Sequence, residues 1–167
     1  MPMKTNGFTL VELLFTVAIL AIVLTLGIPS MTDFIDRSRA TTEHRELVKT
    51  VNLARSEAIT RGLDVNLSAL SGSDWEKGFR IWVDADGDAT YDAGEELREF
   101  GAFRSNADLS VTSNVSNFTF TSEGFLNATP GTVFIFNYRT NPAHCSLDRN
   151  IRLRHTGHIS VEERSCP

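Results

Sequence analysis

Residues 7–28 read GFTLVELLFTVAILAIVLTLGI, an apolar run in which Glu12 is the only ionisable side chain. At the rise of an α-helix, the stretch from Phe8 to Ile28 spans about 30 Å, which matches the hydrocarbon thickness of a bilayer. A short polar leader that contains Lys4 precedes it. The N-terminal part of the chain is therefore predicted to be a membrane helix.

The carboxylate of Glu12 separates this run from ordinary hydrophobic segments. A secretory signal peptide has a shorter apolar core that ends at small residues, whereas this run continues through Leu20 and Leu26 without such a site. A plain transmembrane anchor explains the length but not the charge, because a carboxylate within an apolar span costs about 2.5–3.5 kcal/mol. Glu12 therefore needs a partner.

The segment Gly7-Phe8-Thr9-Leu10-Val11-Glu12-Leu13-Leu14 resembles the class III leader of type IV pilins and type II secretion pseudopilins. The resemblance implies that a prepilin peptidase in the membrane cleaves after Gly7 and methylates the new amino terminus on Phe8. It also implies that the carboxylate of Glu12 pairs with the amine of Phe8 in a neighbouring subunit of a filament. Residues 1–7 would then be the leader peptide, and residues 8–28 the transmembrane and polymerisation helix.

An amphipathic half of the same long helix is predicted for residues 29–62. Gly27 and Pro29 interrupt the apolar run, so we expect a kink or local unwinding there. Gly62 is a suitable C-terminal stop. The apolar stripe of this half consists of Leu47, Val48, Val51, Ala54 and Ala58.

Beyond the helix, the periodicity changes to that of strands. Residues 63–167 are enough for one modest core but not for two domains. The result is an α+β layout. The resemblance to type IV pilins implies that the long N-terminal helix packs on an antiparallel β-sheet. The predicted strands are residues 65–69, 79–83, 97–103, 118–120, 132–138, 151–154 and 159–161.

A second group of residues resembles the GspH/FimT family. Residues 53–59 read LARSEAI and are followed by Arg61-Gly62, Trp75, Gly78-Phe79 and Val83-Asp84. The family includes minor pilins of type IV pili and the H-type pseudopilin of type II secretion. The resemblance implies the type IV pilin fold, with residues 63–167 as a β-rich globular domain.

An acidic segment between two predicted strands has the spacing of an EF-hand calcium loop. Its position 6 is Ala89 where that loop has glycine, and its flanks read as strands instead of helices. Calcium is therefore one candidate ligand, and a solvated hairpin turn without metal is the alternative. Residues 84–99 hold seven acidic side chains and one arginine, so the segment should repel phosphate. The candidate calcium ligands are Asp84, Asp86, Asp88, Asp92 and Glu95.

Two cysteines, Cys145 and Cys166, lie near the C-terminal end. In the oxidising periplasm that the resemblance implies, they can pair and close a loop, which would contribute about 3 kcal/mol to stability. Zinc binding by one of them with a nearby histidine is an alternative, but the spacing matches no recognised zinc site.

The predicted disulfide loop contains a small basic edge. The formal net charge of −5 excludes a chain that is basic throughout, so only such a local patch could serve nucleic acid. FimT members of the family bind DNA through a Gly-Arg-x-Arg segment, which reads Gly157-His158-Ile159-Ser160 here. An ordinary solvated face is the alternative. The candidate DNA-binding residues are Arg149, Arg152, Arg154 and Arg164.

These observations predict a non-enzymatic assembly protein, because no nucleophile elbow, Walker loop or metalloprotease helix occurs. The resemblance implies a FimU/FimT-like minor pilin that helps to initiate pilus assembly at the tip. A DNA-binding minor pilin and a GspH-like pseudopilin are the alternatives. The expected partners are other pilins or pseudopilins, and the expected location is the bacterial inner membrane, with a periplasmic domain, and then the filament.

Overall fold

The structure, a computed structural model, describes residues 8–88 and 90–166, without the side chains of residues 25–30. A single long helix, α1 (Leu10–Arg61), precedes the described strands. In the described connections, short 3-10 helices lie at Trp75–Lys77 and Cys145–Leu147, and Thr112–Asn114 forms a turn with positive φ at Ser113 and Asn114. The strands are β1 (Val65–Ala69), β2 (Gly78–Trp82), β3 (Glu96–Gly101), β4 (Asp108–Val111), β5 (Asn117–Phe120), β6 (Val133–Arg139), β7 (Arg149–Arg154) and β8 (Ile159–Glu163).

The chain divides between Ser38 and Arg39 into two compact units. In the first unit, the described side chains from Phe8 to Leu24 are exposed on all sides of the helix. No helix among the described residues has both the length and the apolar composition needed to cross a membrane.

Helix α1 begins and ends near the predicted residues. It continues as helix past Gly27 and Pro29, so the local unwinding predicted there is wrong; a proline removes only one donor from the hydrogen-bond ladder. A kink at that place stays a prediction. At the other end, Gly62 has a φ of 66°, and its N–H donates to the carbonyl of Ala58 over 2.9 Å. Glycine adopts this left-handed conformation without strain, which explains why the helix stops there.

In the second unit, the strands form two antiparallel sheets of four strands each. The first has the order β3-β2-β1-β5, and the second has the order β4-β6-β7-β8. The α+β fold with a long helix and antiparallel strands is thus confirmed. Strand β4 was not predicted, although its residues alternate between exposed and buried. It is only four residues long, and serine and asparagine surround it, which hid the alternation.

The core lies where the C-terminal half of α1 meets both sheets. The predicted stripe is confirmed: four of its residues are fully buried, and Val48 packs against them. At the centre, the ring of Trp75 contacts those of Phe79, Phe118 and Phe136, with centroid distances between 5.3 and 6.2 Å. The indole N–H of Trp75 donates to the carbonyl of Val115, so its polar atom is also satisfied.

Candidate functional site

The N-terminal motif forms a helix cap. The backbone N–H and the hydroxyl of Thr9 donate to Oε2 of Glu12 over 3.2 and 3.1 Å, and the N–H of Glu12 lies 3.2 Å from the hydroxyl oxygen of Thr9. This reciprocal arrangement is a capping box, which satisfies free donors at the first turn. Glu12 therefore has a partner within its own chain. This partner was not predicted, although the T-x-x-E spacing of the sequence signals it.

The environment of the motif is an exposed apolar surface. Phe8 is exposed, and so are the large apolar residues that follow it along the helix. Gly7 lies outside the described residues, so cleavage after Gly7 and methylation of Phe8 stay predictions. The Glu12 carboxylate at the start of this surface can accept a hydrogen bond from another chain or form an ion pair with it. Both described contacts with Thr9 use Oε2, so Oε1 is left for such a partner.

The acidic segment forms the connection of the β2–β3 hairpin, as its flanking strands predicted. Carboxylate oxygens of Asp84, Asp86 and Asp88 lie within 4.8 Å of one another. The carboxylate of Glu95 instead accepts the backbone N–H groups of Ala85 and Asp92, over 2.7 and 2.9 Å. Three of the five predicted ligands are therefore brought together, whereas Glu95 orders the loop backbone. Ala89 lies outside the described residues.

Neighbouring carboxylates in this loop affect one another. The N–H of Asp88 acts to lower the pKa of Asp86, but desolvation and the negative charges of Asp88 and Glu95 outweigh it and raise the pKa of Asp86 above its usual range. A cation would relieve this repulsion. Calcium binding stays a prediction.

The predicted basic edge lies on β7 and directly after β8, where Arg164 is located, and most of its arginines contact carboxylates. Arg152 forms an ion pair with Glu162 over 2.8 Å, and Arg149 lies 3.6 Å from Glu163. Arg154 is exposed, and no ion pair joins it to another described residue. As predicted, Ile151 and Leu153 of the same strand are buried in the core. The patch is therefore less positive than the arginines alone indicate.

The Cys145–Cys166 disulfide is confirmed and links the C-terminal segment to the connection between β6 and β7. Beside it, Oδ2 of the buried Asp148 accepts a hydrogen bond from Arg164 over 2.8 Å. Oδ1 of Asp148 accepts the backbone N–H and the hydroxyl of Thr140. Burial acts to raise the pKa of Asp148, but these donors outweigh it and hold the pKa below its usual range.

A buried polar cluster, which was not predicted from the sequence, anchors α1 to the second sheet. The carboxylate of Glu43 accepts the hydroxyl of Tyr138 over 2.8 Å and both the N–H and the hydroxyl of Ser105, over 2.9 and 2.5 Å. Burial and the Glu43 carboxylate raise the pKa of the Tyr138 phenol, which therefore stays a donor. The available signal was Glu43 itself, which precedes Leu47 by one helical turn on the apolar stripe.

His44 is the next residue of this cluster. Its Nδ1 lies 2.6 Å from the carbonyl oxygen of Ala40, and its ring meets that of Tyr138 edge to face. Burial lowers the pKa of His44, although the Ala40 carbonyl acts in the opposite direction. The imidazole is therefore kept neutral inside the domain, which suits a structural role.

Two family descriptions match the sequence. The Prokaryotic N-terminal methylation motif matches residues 2–28, and Type II transport protein GspH matches residues 43–157. No curated protein matches the chain in sequence. The two family matches together therefore include the helix cap, the acidic loop and strand β7, which holds three of the four arginines of the basic edge.

Three solved structures are similar to this one. The type IV minor pilin FimU of Pseudomonas aeruginosa is 29% identical, with a TM-score of 0.64 over 77% of this chain and 92% of that chain. A second crystal form of FimU gives 30% identity and a TM-score of 0.59, over 75% of this chain and 90% of that chain. The minor pseudopilin EpsH from the Type 2 Secretion System of Vibrio cholerae is 10% identical, with a TM-score of 0.55 over 75% and 97%. The likeness to EpsH shows the fold alone.

Proposed function

The chain belongs to the GspH family of type IV pilin-like proteins, and from this premise we propose that it is a minor pilin of the FimU kind. In this role it is cleaved after Gly7 and methylated on Phe8 by a prepilin peptidase. It then enters a pilus near the tip and helps other minor pilins to initiate assembly. The role is structural and includes no enzymatic step.

The similarity to FimU carries this proposal. The sequence identity between FimU and this chain is about three times that between EpsH and this chain, and the match extends over nine-tenths of the FimU chain. The family description itself names a type II transport protein, so a pseudopilin of type II secretion is the second candidate. Both candidates share the N-terminal motif and differ only in the filament that the subunit joins.

The proposed domain organisation follows from the role. Residues 1–7 are a leader, residues 8–28 enter the inner membrane and then the filament core, and residues 29–62 are the amphipathic half of the helix. Residues 63–167 form the periplasmic domain. The match of residues 2–28 to the methylation motif supports this arrangement, as does the exposed apolar surface that follows Phe8.

Glu12 has two separable roles in this proposal, which a pair of substitutions can distinguish. Glu12→Gln keeps an oxygen that can complete the cap but removes the charge that would pair with the Phe8 amine of a neighbour. Thr9→Ala removes the hydroxyl from the cap but keeps the charge. We expect the Glu12→Gln protein to be cleaved but absent from pili, and the Thr9→Ala protein to be incorporated.

The measurement is made on the full chain expressed in piliated cells. Mass spectrometry of the N-terminus reports cleavage after Gly7, and an immunoblot of sheared pili reports incorporation. Normal incorporation of the Glu12→Gln protein would contradict ion pairing. Equal failure of the Thr9→Ala protein would mean that Glu12 acts through the helix cap instead.

DNA capture by the C-terminal arginines stays an untested alternative. Three of the four arginines contact carboxylates: Arg149, Arg152 and Arg164. A patch neutralised in this way offers few contacts to phosphate. The ion pairs therefore favour the assembly role over the DNA-binding role.

A further inference from the structure

Strand β3 is the outermost strand of the first sheet. Its inner side pairs with β2, and no other strand in the described part of the chain pairs with its outer side. A free strand edge presents backbone N–H and C=O groups that can bind an extended polypeptide. The opposite edge of this sheet is covered, because Leu126 bridges to Phe120 of β5, and the N–H of Asn127 donates to Thr119.

A groove of about 210 Å³ runs between this free edge and α1. Leu53 and Phe100 supply apolar surface, and Lys49 and Arg98 supply two cations. The guanidinium of Arg98 lies over the ring of Phe100, and no ion pair joins Lys49 to another described residue. Thr42 and Glu46 complete the lining.

The other face of β3 is acidic. In the register with β2, Arg98 and Phe100 lie opposite the buried Ile81 and Phe79 and therefore face the helix. Glu99 is opposite Arg80 on the other face. Glu96 is opposite Trp82 there, because a register shift between Ile81 and Trp82 skips Leu97. The carboxylate of Glu99 lies 3.9 Å from the guanidinium of Arg80, a long distance for an ion pair, and that guanidinium also lies over the ring of Tyr91.

The charges around this edge are far from balanced. Residues 84–99 carry seven acidic side chains against one arginine, and they form most of the β2–β3 connection and the first four residues of β3. Such a density attracts a cationic partner and repels an anionic one. The free edge therefore has both a backbone pattern that selects an extended chain and a charge that selects a basic one.

We propose that the outer edge of β3 binds an extended basic segment of another polypeptide by strand addition. The segment places Lys or Arg side chains opposite Glu96 and Glu99, and apolar side chains over Leu53 and Phe100 in the groove. Main-chain hydrogen bonds supply the binding, and the two different faces of β3 supply the specificity. This surface lies in the second compact unit, so the proposal does not depend on the N-terminal assembly motif.

The test uses the oxidised full chain in nonionic detergent micelles and a labelled peptide in which four lysines alternate with three valines. The control peptide has the same sequence with every backbone amide N-methylated, so it keeps the charge but cannot pair as a strand. We expect the first peptide to bind and to protect from hydrogen exchange those amides of residues 96–101 that do not face β2. The N-methylated peptide should bind at least about tenfold more weakly.

Two protein variants with equal charge changes separate β3 from the overall negative charge. Glu99→Lys should weaken the binding of the lysine peptide about fivefold. A peptide with glutamates in place of lysines should bind the Glu99→Lys protein better than it binds the original chain. Glu123→Lys changes an exposed residue of the β5–β6 connection and should leave binding unchanged. Recovery with the glutamate peptide also shows that the Glu99→Lys protein is folded.

Three results would overturn the proposal. Equal binding of the N-methylated peptide would mean that charge alone attracts the peptide. An equal loss in the Glu123→Lys protein would mean that β3 is not the site. Absence of binding at low salt, or binding without protection of residues 96–101, would exclude strand addition at this edge.

Discussion

At the scale of single residues, Asp148 connects protonation to stability. Its carboxylate is buried and accepts hydrogen bonds from Thr140 and Arg164. The pKa of Asp148 in the folded chain therefore lies below the usual value of 3.8. In the unfolded chain, the same group has its ordinary pKa. At a pH between these two pKa values, the folded state therefore binds fewer protons than the unfolded state. The contribution of Asp148 to the free energy of unfolding is complete above its ordinary pKa and is lost as the pH falls through its lowered pKa in the folded chain.

We expect thermal unfolding of the full chain to occur at progressively lower temperature as the pH falls from about 5 toward the lowered pKa of Asp148. Asp148→Asn should lower the unfolding temperature at neutral pH and flatten its dependence on pH. Asp64→Asn, which changes an exposed carboxylate, is the matched control. An unchanged pH profile in the Asp148→Asn protein would mean that other carboxylates are responsible.

Two carboxylates on the helix show how far residue-scale reasoning extends. Glu12 finds Thr9 three positions away, so its capping partner can be identified from spacing alone. Glu43 accepts hydrogen bonds from Ser105 and Tyr138, which are 62 and 95 positions away in the sequence. Only the packing of α1 against β6 and the segment before β4 brings these groups together.

At the scale of elements, the turn between β7 and β8 packs closely against the turn after β5. A Cβ on Gly157 would lie 2.4 Å from the backbone oxygen of Gly124 and 2.9 Å from Nε of Arg55. That Nε donates to the same oxygen over 3.1 Å. Both turns and the helix therefore meet at a place with no room for a side chain.

Gly157→Ala and Gly62→Ala form a matched pair, because both glycines have positive φ but Gly62 has open space around it. Gly62→Ala should cost about 1–2 kcal/mol from backbone strain alone. Gly157→Ala should cost the same backbone strain and a further 1–3 kcal/mol, roughly, because its Cβ collides with Gly124 and Arg55. Chemical denaturation of both proteins measures the difference, and equal costs would show that the turns can separate.

The disulfide acts at the same scale, because it holds the segment after β8 to the segment before β7. Cys145→Ser should lower the free energy of unfolding by about 3 kcal/mol in the chain-entropy description. Reductant should lower the stability of the original chain to a similar extent and leave the Cys145→Ser protein unaffected. An equal stability with and without reductant, with two free thiols titrated, would contradict this role.

At the scale of the whole molecule, the distribution of charge decides what the basic edge can bind. Each phosphate contact contributes about −0.9 to the slope of log K against log salt for duplex DNA. If the ion pairs persist, Arg154 is the available cation of the four, and we expect weak binding with a slope near −1. If all four arginines reach phosphates, the slope approaches about −4.

The experiment compares the oxidised full chain with a variant in which Arg149, Arg152, Arg154 and Arg164 are changed to Gln. Binding to duplex DNA is measured in micelles over a range of salt. A steep slope that disappears in the variant would support DNA capture and count against the assembly role as the whole function. A shallow slope in both proteins would agree with the neutralised patch.

The sequence by itself determined what depends on neighbours along the chain. The apolar run with its single carboxylate, the stripe that includes Leu47 and Val51, the stop at Gly62 and the alternation of most strands are all periodic or local signals. They sufficed for the fold class, whereas the family followed from the resemblance of residues 7–14 and of the motifs between Leu53 and Asp84 to known sequences. The same kind of reasoning failed at β4, where the alternation is too short to rise above its polar surroundings.

Only the tertiary structure decided how distant parts combine. The arrangement of the strands in two sheets, the free edge of β3, the partners of Glu43 and the ion pairs of Arg149 and Arg152 all depend on which strands become neighbours. A strand's own residues specify its faces, since side chains alternate along it, but they do not specify what lies across each face. That information arises when the helix and both sheets enclose one core.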